Sequence, residues 1–409
     1  MEMNNLLNLG ELYVSDFLDS TEEYGDREKS SLDLVLDSRW GAPRLTKAVD
    51  PDKMYGRYWY HSGTNASMTE QLKNVVDEVS SRVEYSKNDI WLDIACNDGT
   101  LLRFVPPEFV KLGIDPVEDS FLKHSSGIAE AVVQDYFSVD SYKKTGYGDK
   151  KCKVITTIAM FYDLDDPVPF VDDVKEVLDD DGVWVVQLSY TPLMIKQMAF
   201  DNICHEHVYY YSLTSIKKLM ESRGFKIVDC SLNDTNGGSF RVYLQKENAR
   251  EASFATKPLR DVCNLRVDSL LSYERNHCNI ADPFLWLRFN DDLNEMRRKT
   301  VEFIRAEKAK GKKIYGYGAS TKGNTLLQYY GLTSDDIVAI AERSPEKYGK
   351  YTVGSNIPII SEKQMREEDP DYLLVLPWHF IKEFVEREQD FLEGGGKFIV
   401  PCPEFEVIS

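Results

Sequence analysis

Between Asp201 and Ser212 the chain reads Asp-Asn-Ile-Cys-His-Glu-His-Val-Tyr-Tyr-Tyr-Ser, which gathers two of its six histidines, two acids and three tyrosines into one short stretch. Imidazole titrates near neutral pH, so such a stretch is a candidate for proton transfer. The structural alternative is a histidine-rich loop tied down by ordinary hydrogen bonds. Its position favours chemistry, because a strand-turn-helix signal of the nucleotide-holding kind lies on each side, at Trp91–Leu102 and at Lys313–Leu327.

The elements that must position this stretch alternate. Ile90–Cys96 reads as a buried strand, Asn97-Asp-Gly99 as a turn, and Thr100 as the start of a helix. Further strands are expected at Lys111–Pro116, Ala131–Asp135, Val154–Phe161 and Val183–Leu188, with a helix over Asp166–Leu178. This order predicts a parallel sheet with right-handed crossovers. A helix over Ser215–Arg223 then stops at Gly224, and Phe225–Cys230 and Ser239–Leu244 read as two paired strands. Ligands of parallel sheets sit at the carboxyl ends of the strands, so Asp93, Ala95, Asn97, Gly99 and Asp115 are expected to line one pocket. Dinucleotide-binding and S-adenosylmethionine-binding folds share that arrangement. The turn lacks Gly-x-Gly-x-x-Gly, which counts against a pyrophosphate-bearing cofactor, and the closing hairpin suits a methyltransferase sheet.

Downstream, Gly316-Tyr-Gly-Ala-Ser-Thr-Lys-Gly323 joins a strand at Lys313–Tyr317 to a helix from Thr321, with later strands at Ile337–Ala341, Tyr372–Leu376 and Phe398–Val400. Glycines admit close backbone approach, and Lys322 adds a positive charge, so the turn is a candidate diphosphate cradle. It is not a P-loop, and its structural alternative is a tight strand-helix turn. Tyr55–Gly63 is an aromatic cluster, either a satellite core or a lid presenting Tyr58, Tyr60 or His61. Ala66–Arg82 has the spacing of an amphipathic helix, and the Lys- and Glu-rich 248–312 reads as helix with solvated faces.

A length of 409 residues implies two or three domains, and 42% hydrophobic residues support packed cores. The net charge of −19 argues against nucleic-acid binding. No apolar run is long enough to span a bilayer, and the first residues do not read as a signal peptide. The seven cysteines include no Cys-x-x-Cys pair, so a cytoplasmic, metal-free protein is expected, monomeric or weakly associated.

Five motifs occur in order: Leu92-Asp-Ile-Ala-Cys-Asn-Asp-Gly-Thr-Leu-Leu102, His205-Glu-His-Val-Tyr-Tyr-Tyr-Ser212, Gly237-Gly-Ser-Phe-Arg-Val-Tyr243, Gly316-Tyr-Gly-Ala-Ser-Thr-Lys-Gly-Asn324 and Gly395-Gly-Lys-Phe-Ile-Val-Pro401. Together, from about Leu36 to the end, they resemble the S-adenosylmethionine-dependent sugar C-methyltransferases that act on nucleotide-linked 4-keto-6-deoxyhexoses. The resemblance implies an α/β protein with four parts. These are a small N-terminal module (1–65), a class I, Rossmann-like methyltransferase domain (66–247), a helical connection (248–312) and a second Rossmann-like domain (313–409). It implies S-adenosylmethionine held by Asp93, Ala95, Asn97, Gly99, Asp115 and Asp135. It implies a nucleotide sugar held by Gly316, Gly318, Ser320, Lys322, Asn324, Arg241, Cys204 and Asp163. His207 is then the base that removes a proton beside the ketone, with His205, Glu206, Tyr58 and Tyr60 orienting the sugar or stabilising the enolate.

Three departures from the family pattern stand out. Asp37 and Trp40 occupy positions where a zinc-binding cysteine pair is expected, Cys204 replaces a common tyrosine, and Asp163 replaces a common histidine. The competing readings are a nicotinamide-dependent two-domain oxidoreductase and a non-catalytic sugar-nucleotide-binding homologue. Without a cysteine pair at zinc spacing, elemental analysis of the purified protein is expected to find no stoichiometric zinc. One tightly held zinc per chain would overturn this.

Overall fold

The structure is a computed structural model and describes residues 5–21, 27–50, 54, 62–64, 66–117, 127–250 and 253–409. The N-terminal part contains β1 (Asn5–Tyr13), β2 (Phe17–Leu18), β3 (Lys29–Asp37) and β4 (Ala42–Leu45). β1, β3 and β4 form an antiparallel sheet in which Leu32 and Leu34 point inward with period two.

The central sheet uses β5 (Ile90–Ile94), β6 (Val110–Ile114), β7 (Ala131–Val133), β8 (Cys152–Ile158), β9 (Leu178–Ser189), β10 (Phe225–Asn233) and β11 (Ser239–Lys246). Their order is β10-β11-β9-β8-β5-β6-β7, with β5 to β9 mutually parallel and β11 antiparallel to both β9 and β10. This is the class I methyltransferase arrangement that the strand pattern and hairpin imply. β5 is buried at every position, as a strand covered on both faces must be. One covering layer is the helix Ala66–Ser80, whose Leu72, Val75, Val76 and Val79 pack with Trp91 and Val185.

The C-terminal unit uses β12 (Ile314–Tyr317), β13 (Ile340–Glu342), β14 (Tyr351–Thr352), β15 (Ile359–Ser361), β16 (Tyr372–Val375), β17 (Lys397–Val400) and β18 (Glu406–Ile408). Six of them form a second α/β sheet in the order β15-β13-β12-β16-β17-β18, while β14 pairs with β2. Strand order reverses between β5 and β8 in the first sheet and between β12 and β16 in the second, so each has a crevice at the carboxyl ends of those strands.

Two findings modify the sequence reading. The N-terminal strands do not form a free-standing module: Leu6, Leu9, Phe17 and Leu34 share one core with Tyr317, Leu326 and Leu374 of the C-terminal unit. Moreover, 248–312 is docked as well as solvated. Helix Pro283–Ala309 buries Trp286, Phe289, Leu293 and Ile304 in that same core, and helix Lys257–His277 lies on β10.

The second contact is locked by charge. Asp229 on β10 is fully buried, accepting from Arg82 Nη1 at 2.6 Å and Arg266 Nε at 2.9 Å. Removing one member of a buried ion group strands the others, at a cost of about 3–5 kcal/mol. Asp229→Ala is therefore expected to lower the stability of the central unit by about that amount in chemical denaturation, with the tryptophan signal of Trp91 and Trp184 as reporter.

Candidate active site

The first crevice is shaped by the turn after β5. Ala95, Asn97 and Gly99 all take left-handed backbone conformations, with φ of 61°, 51° and 72°. Two of these are not glycine, and such strain persists only where neighbours enforce it. Ala95 N donates to Ile114 O at 2.8 Å. Asp115, at the end of β6, accepts from Asn97 N at 2.7 Å and from Val117 N at 2.9 Å. Each carboxylate oxygen retains a lone pair for hydroxyl donors, so an acid that shapes the turn can also meet a ribose. Asp93 is buried and accepts from Thr156 Oγ1 at 2.6 Å. Burial drives its pKa up to about 7, Thr156 opposes the rise and Asp115 adds to it. Ser62 N donates to Asn97 Oδ1 at 3.1 Å and Gly63 N to Asp98 Oδ2 at 2.8 Å, so the end of the Tyr55–Gly63 segment is tied to the turn. A Cβ at Gly63 would lie 2.9 Å from Thr100 Oγ1. Tyr58, Tyr60 and His61 lie outside the described residues. Asp135 sits at the rim beyond β7, paired with Lys144 at 2.7 Å.

The histidine-rich stretch follows the short helix Phe200–Asn202 and diverges at once. His207 Nδ1 donates to the Asn202 carbonyl at 2.8 Å, because a carbonyl can only accept. Its Nε2 takes no hydrogen bond among the described residues, and its ring packs on Tyr162 at a centroid distance of 4.2 Å. Burial, then the Lys322 charge, lower its pKa to about 3 against the effect of the Asn202 bond.

His205 turns the other way. Its Nε2 bonds the Ser30 carbonyl at 3.0 Å, so it anchors β3 rather than joining His207. The tyrosines are framework too. Tyr210 Oη donates to His207 O at 2.9 Å, and Tyr209 stacks on Tyr211. Tyr209 Oη also donates to Asp37 at 2.8 Å and accepts from Arg44 at 3.0 Å, while Arg39 pairs with Asp37 at 2.8 Å. Where the family resemblance places cysteines, an acid, two arginines and a tyrosine close the corner. Among the described residues no group of histidine, cysteine or acidic side chains has metal-binding geometry.

Arg241 also departs from its expected role. It is 1% exposed and fully engaged, by Gln187 at 2.9 Å, Glu78 at 2.8 Å and Asn74 at 3.2 Å. A long cation inside β11 has to be neutralised where it lies.

In the C-terminal unit the glycine turn is largely self-satisfied. A Cβ at Gly318 would meet Pro377 at 2.7 Å and one at Gly316 would meet Ile340 at 2.8 Å, so these glycines are required for packing. Glu342 accepts from Ala319 N at 2.8 Å, Lys347 Nζ donates to Ala319 O at 2.7 Å, and Ser320 Oγ caps Gly323 N at 2.9 Å. Asn324 Nδ2 donates to Asp16 O at 2.9 Å. Lys322 alone of the named turn residues reaches the histidine stretch, donating to Asn202 Oδ1 at 2.6 Å.

Other residues in this seam escaped the sequence reading. The loop after β16 carries Trp378, whose Nε1 donates to Asp201 Oδ2 at 3.1 Å, and His379, whose pKa falls to about 3 through burial and the Lys322 charge. Asp201 Oδ1, Glu206 Oε2, Gln197 Oε1 and Thr235 Oγ1 are buried with no hydrogen-bond partner among the described residues. The Gly237–Gly238 turn links them, since its missing Cβ atoms face Trp378 and Gln197. Cys204 is buried beside them, its thiol pushed up by burial and by Glu206, while Asp163 follows Tyr162 on the short helix Phe161–Asp163. A signal was present in sequence: Trp378-His379 follows the strand at the switch point, and Gln197 and Asp201 flank the helix break before His205.

Comparison with known proteins decides the family. A model described as methyltransferase domain matches residues 65–229, and one described as C-methyltransferase C-terminal domain matches residues 234–403. The C-methyltransferase NovU of Streptomyces niveus is 30% identical over 403 residues, covering 97% of this chain and 92% of its own. The chain belongs to the C-methyltransferase family. Solved structures with some likeness include N-methyltransferase NodS from Bradyrhizobium japonicum, at 14% identity over 44% of this chain and 94% of that one, with TM-score 0.32. Another is an S-adenosylmethionine-dependent methyltransferase from Clostridium acetobutylicum, at 13% identity over 44% and 90%, also with TM-score 0.32. The methyl donor of this C-methyltransferase is S-adenosylmethionine, and the oxidoreductase reading is set aside. The strained turn and its two buried acids suit an adenosine-bearing cation. No helix among the described residues is long and apolar enough to cross a membrane.

Asp93 supplies a pH test. Its folded pKa is raised, so its contribution to stability is full below the unfolded carboxylate range and is lost as pH rises through about 7. Without ligand, wild type is expected to lose Tm relative to Asp93→Asn between pH 5 and pH 8, read by scanning calorimetry. A constant difference would show that Asp93 is not held protonated.

Proposed function

We propose that this C-methyltransferase methylates a carbon next to the ketone of a nucleotide-diphosphate-linked keto-deoxysugar. The supporting observation is the set of unfilled acceptors. Among the described residues, Asp201, Glu206, Gln197 and Thr235 each keep a buried oxygen without a partner, and His207, next to Glu206 in the chain, has its Nδ1 engaged by Asn202 and its Nε2 without a hydrogen bond. Buried polar atoms are normally satisfied, and four unmet acceptors call for a ligand rich in hydroxyl donors, as a sugar is.

In this reading 66–247 carries the donor, 313–409 receives the nucleotide, 248–312 connects them and 1–65 buttresses both. His207 Nε2 takes the proton from the carbon beside the ketone, leaving an enolate whose carbon is the nucleophile. The neutral imidazole is available at ordinary pH because burial disfavours its charged form. Glu206 and Asp201 accept sugar hydroxyls and so hold the ring in place. Asp115 and Asp93, with the Ala95–Gly99 turn, orient the donor, and Asp135 stands at the rim. Bound S-adenosylmethionine supplies a methyl activated by its sulfonium. The chain itself has chiefly to align that methyl with the carbon and exclude water.

A mass-spectrometric screen of nucleotide keto-sugars is expected to find one that gains a methyl. In deuterated water with S-adenosylhomocysteine in place of the donor, the same compound is expected to take deuterium at that carbon. His207→Asn keeps size and polarity but supplies no base, and should lose about 10²–10⁴ of both exchange and turnover while ligand affinities stay within a few fold. Near-normal turnover in that variant would assign the base elsewhere.

A further inference from the structure

We propose that Lys322 is a positioning residue for the base: from the C-terminal unit it grips Asn202, and Asn202 holds His207 in the tautomer that leaves Nε2 free. The inference rests on reading His207 as the base. Its geometry is a two-step relay through one residue. Lys322 Nζ donates to the Asn202 side-chain oxygen at 2.6 Å, and the Asn202 main-chain carbonyl accepts from His207 Nδ1 at 2.8 Å. Asn202 is 4% exposed, and both its Nδ2 and its main-chain N donate to Ala199 O at 3.1 Å. With both amide ends and the main chain held, its carbonyl has one direction. Tyr210 Oη on His207 O and the Tyr162 ring against the imidazole fix the other partner.

Removing the Lys322 ammonium would leave a buried amide oxygen without its donor, and Asn202 would turn to seek another. The main-chain carbonyl that selects the imidazole tautomer then keeps only the Asn202 N–H bond to Ala199 O as its brace, and its hold on the imidazole loosens. Among the described residues Lys322 is the positive charge that acts on His207, and it arrives from the other sheet. Its ammonium has three donors and uses one among the described residues, so two remain for an anion such as a substrate phosphate. An anion there offsets the charge and makes the imidazole more basic. Seating the nucleotide end of the substrate thus strengthens the base at the sugar end. Among the described residues, the titratable groups on the elements around His207 are Asp201, Cys204, His205, Glu206, Tyr209, Tyr210 and Tyr211 on its own stretch, Tyr162 and Asp163 on the short helix Phe161–Asp163, His379 on the loop after β16, and Lys322 itself.

The test is nitrogen NMR of the full chain with labelled histidine, using His207→Asn to assign the signal. Wild type is expected to show a neutral imidazole protonated at Nδ1 from pH 8 down to pH 5.5. Lys322→Met should mix the two tautomers and raise the His207 titration midpoint by a unit or more, since a lowering charge is gone. Lys322→Arg should restore the Nδ1–H form. If Lys322→Met does not fold, Lys322→Gln, which keeps a donor without the charge, is expected to show the raised midpoint. Unchanged tautomer and midpoint in the folded variant would overturn the proposal. With an active keto-sugar nucleotide, Lys322→Met should lose roughly tenfold or more of deuterium exchange at unchanged S-adenosylhomocysteine affinity, with recovery in Lys322→Arg. The NMR measurement needs no substrate. A wild type that methylates no sugar nucleotide would therefore sink the functional reading while the Lys322 assignment is still decided.

Discussion

Phe200 to Tyr211 belongs to two hydrophobic cores at once, and the architecture depends on that sharing. Phe200, Ile203 and Tyr210 pack into the core built from the N-terminal strands, helix Pro283–Ala309 and the C-terminal sheet, with Phe200 stacked on Tyr330. Val208, Tyr209 and Tyr211 pack into the core of the central sheet beside Phe161 and Trp184. Burying an aromatic side chain is worth a few kcal/mol, so neither sheet can shift without uncovering part of this seam. The polar atoms that sit between those anchors are held at the same place by default, and His207 is one of them.

Polar chemistry in such a seam is constrained by what its own neighbours can neutralise. The chain is strongly acidic overall, yet the histidine faces a lysine, and its low pKa follows first from burial and then from that charge. Elsewhere buried charges are cancelled in place: Asp229 between two arginines, Arg241 among Gln187, Glu78 and Asn74, and Glu274 against Tyr190 Oη and the first amides of helix Leu213–Ser222. Against that background, the oxygens of Asp201, Glu206, Gln197 and Thr235 stand out as buried and without a partner among the described residues. At the N-terminal corner Asp37, Arg39, Arg44 and Tyr209 satisfy one another, while Trp40 Nε1 and the Oη of Tyr211, stacked on Tyr209, have no partner among the described residues.

Sequence alone determined the strand order class, the turn after β5, the closing hairpin and the candidacy of His207, because each is local. Full burial of β5 shows as an unbroken apolar run, a left-handed turn shows as Asn and Gly, and a proton-transfer residue shows as its own side chain. Tertiary structure alone decided the direction of each side chain. His205 and His207 are two residues apart, yet one bonds Ser30 on β3 and the other Asn202, since the chain turns between them. Lys322 and Asn202, or Trp378 and Asp201, lie more than a hundred residues apart and meet only because the two sheets bring their carboxyl ends to one seam. Spacing along a chain carries no record of such a meeting, so the contacts from Lys322 through Asn202 to His207 and the unpartnered oxygens became visible only in three dimensions.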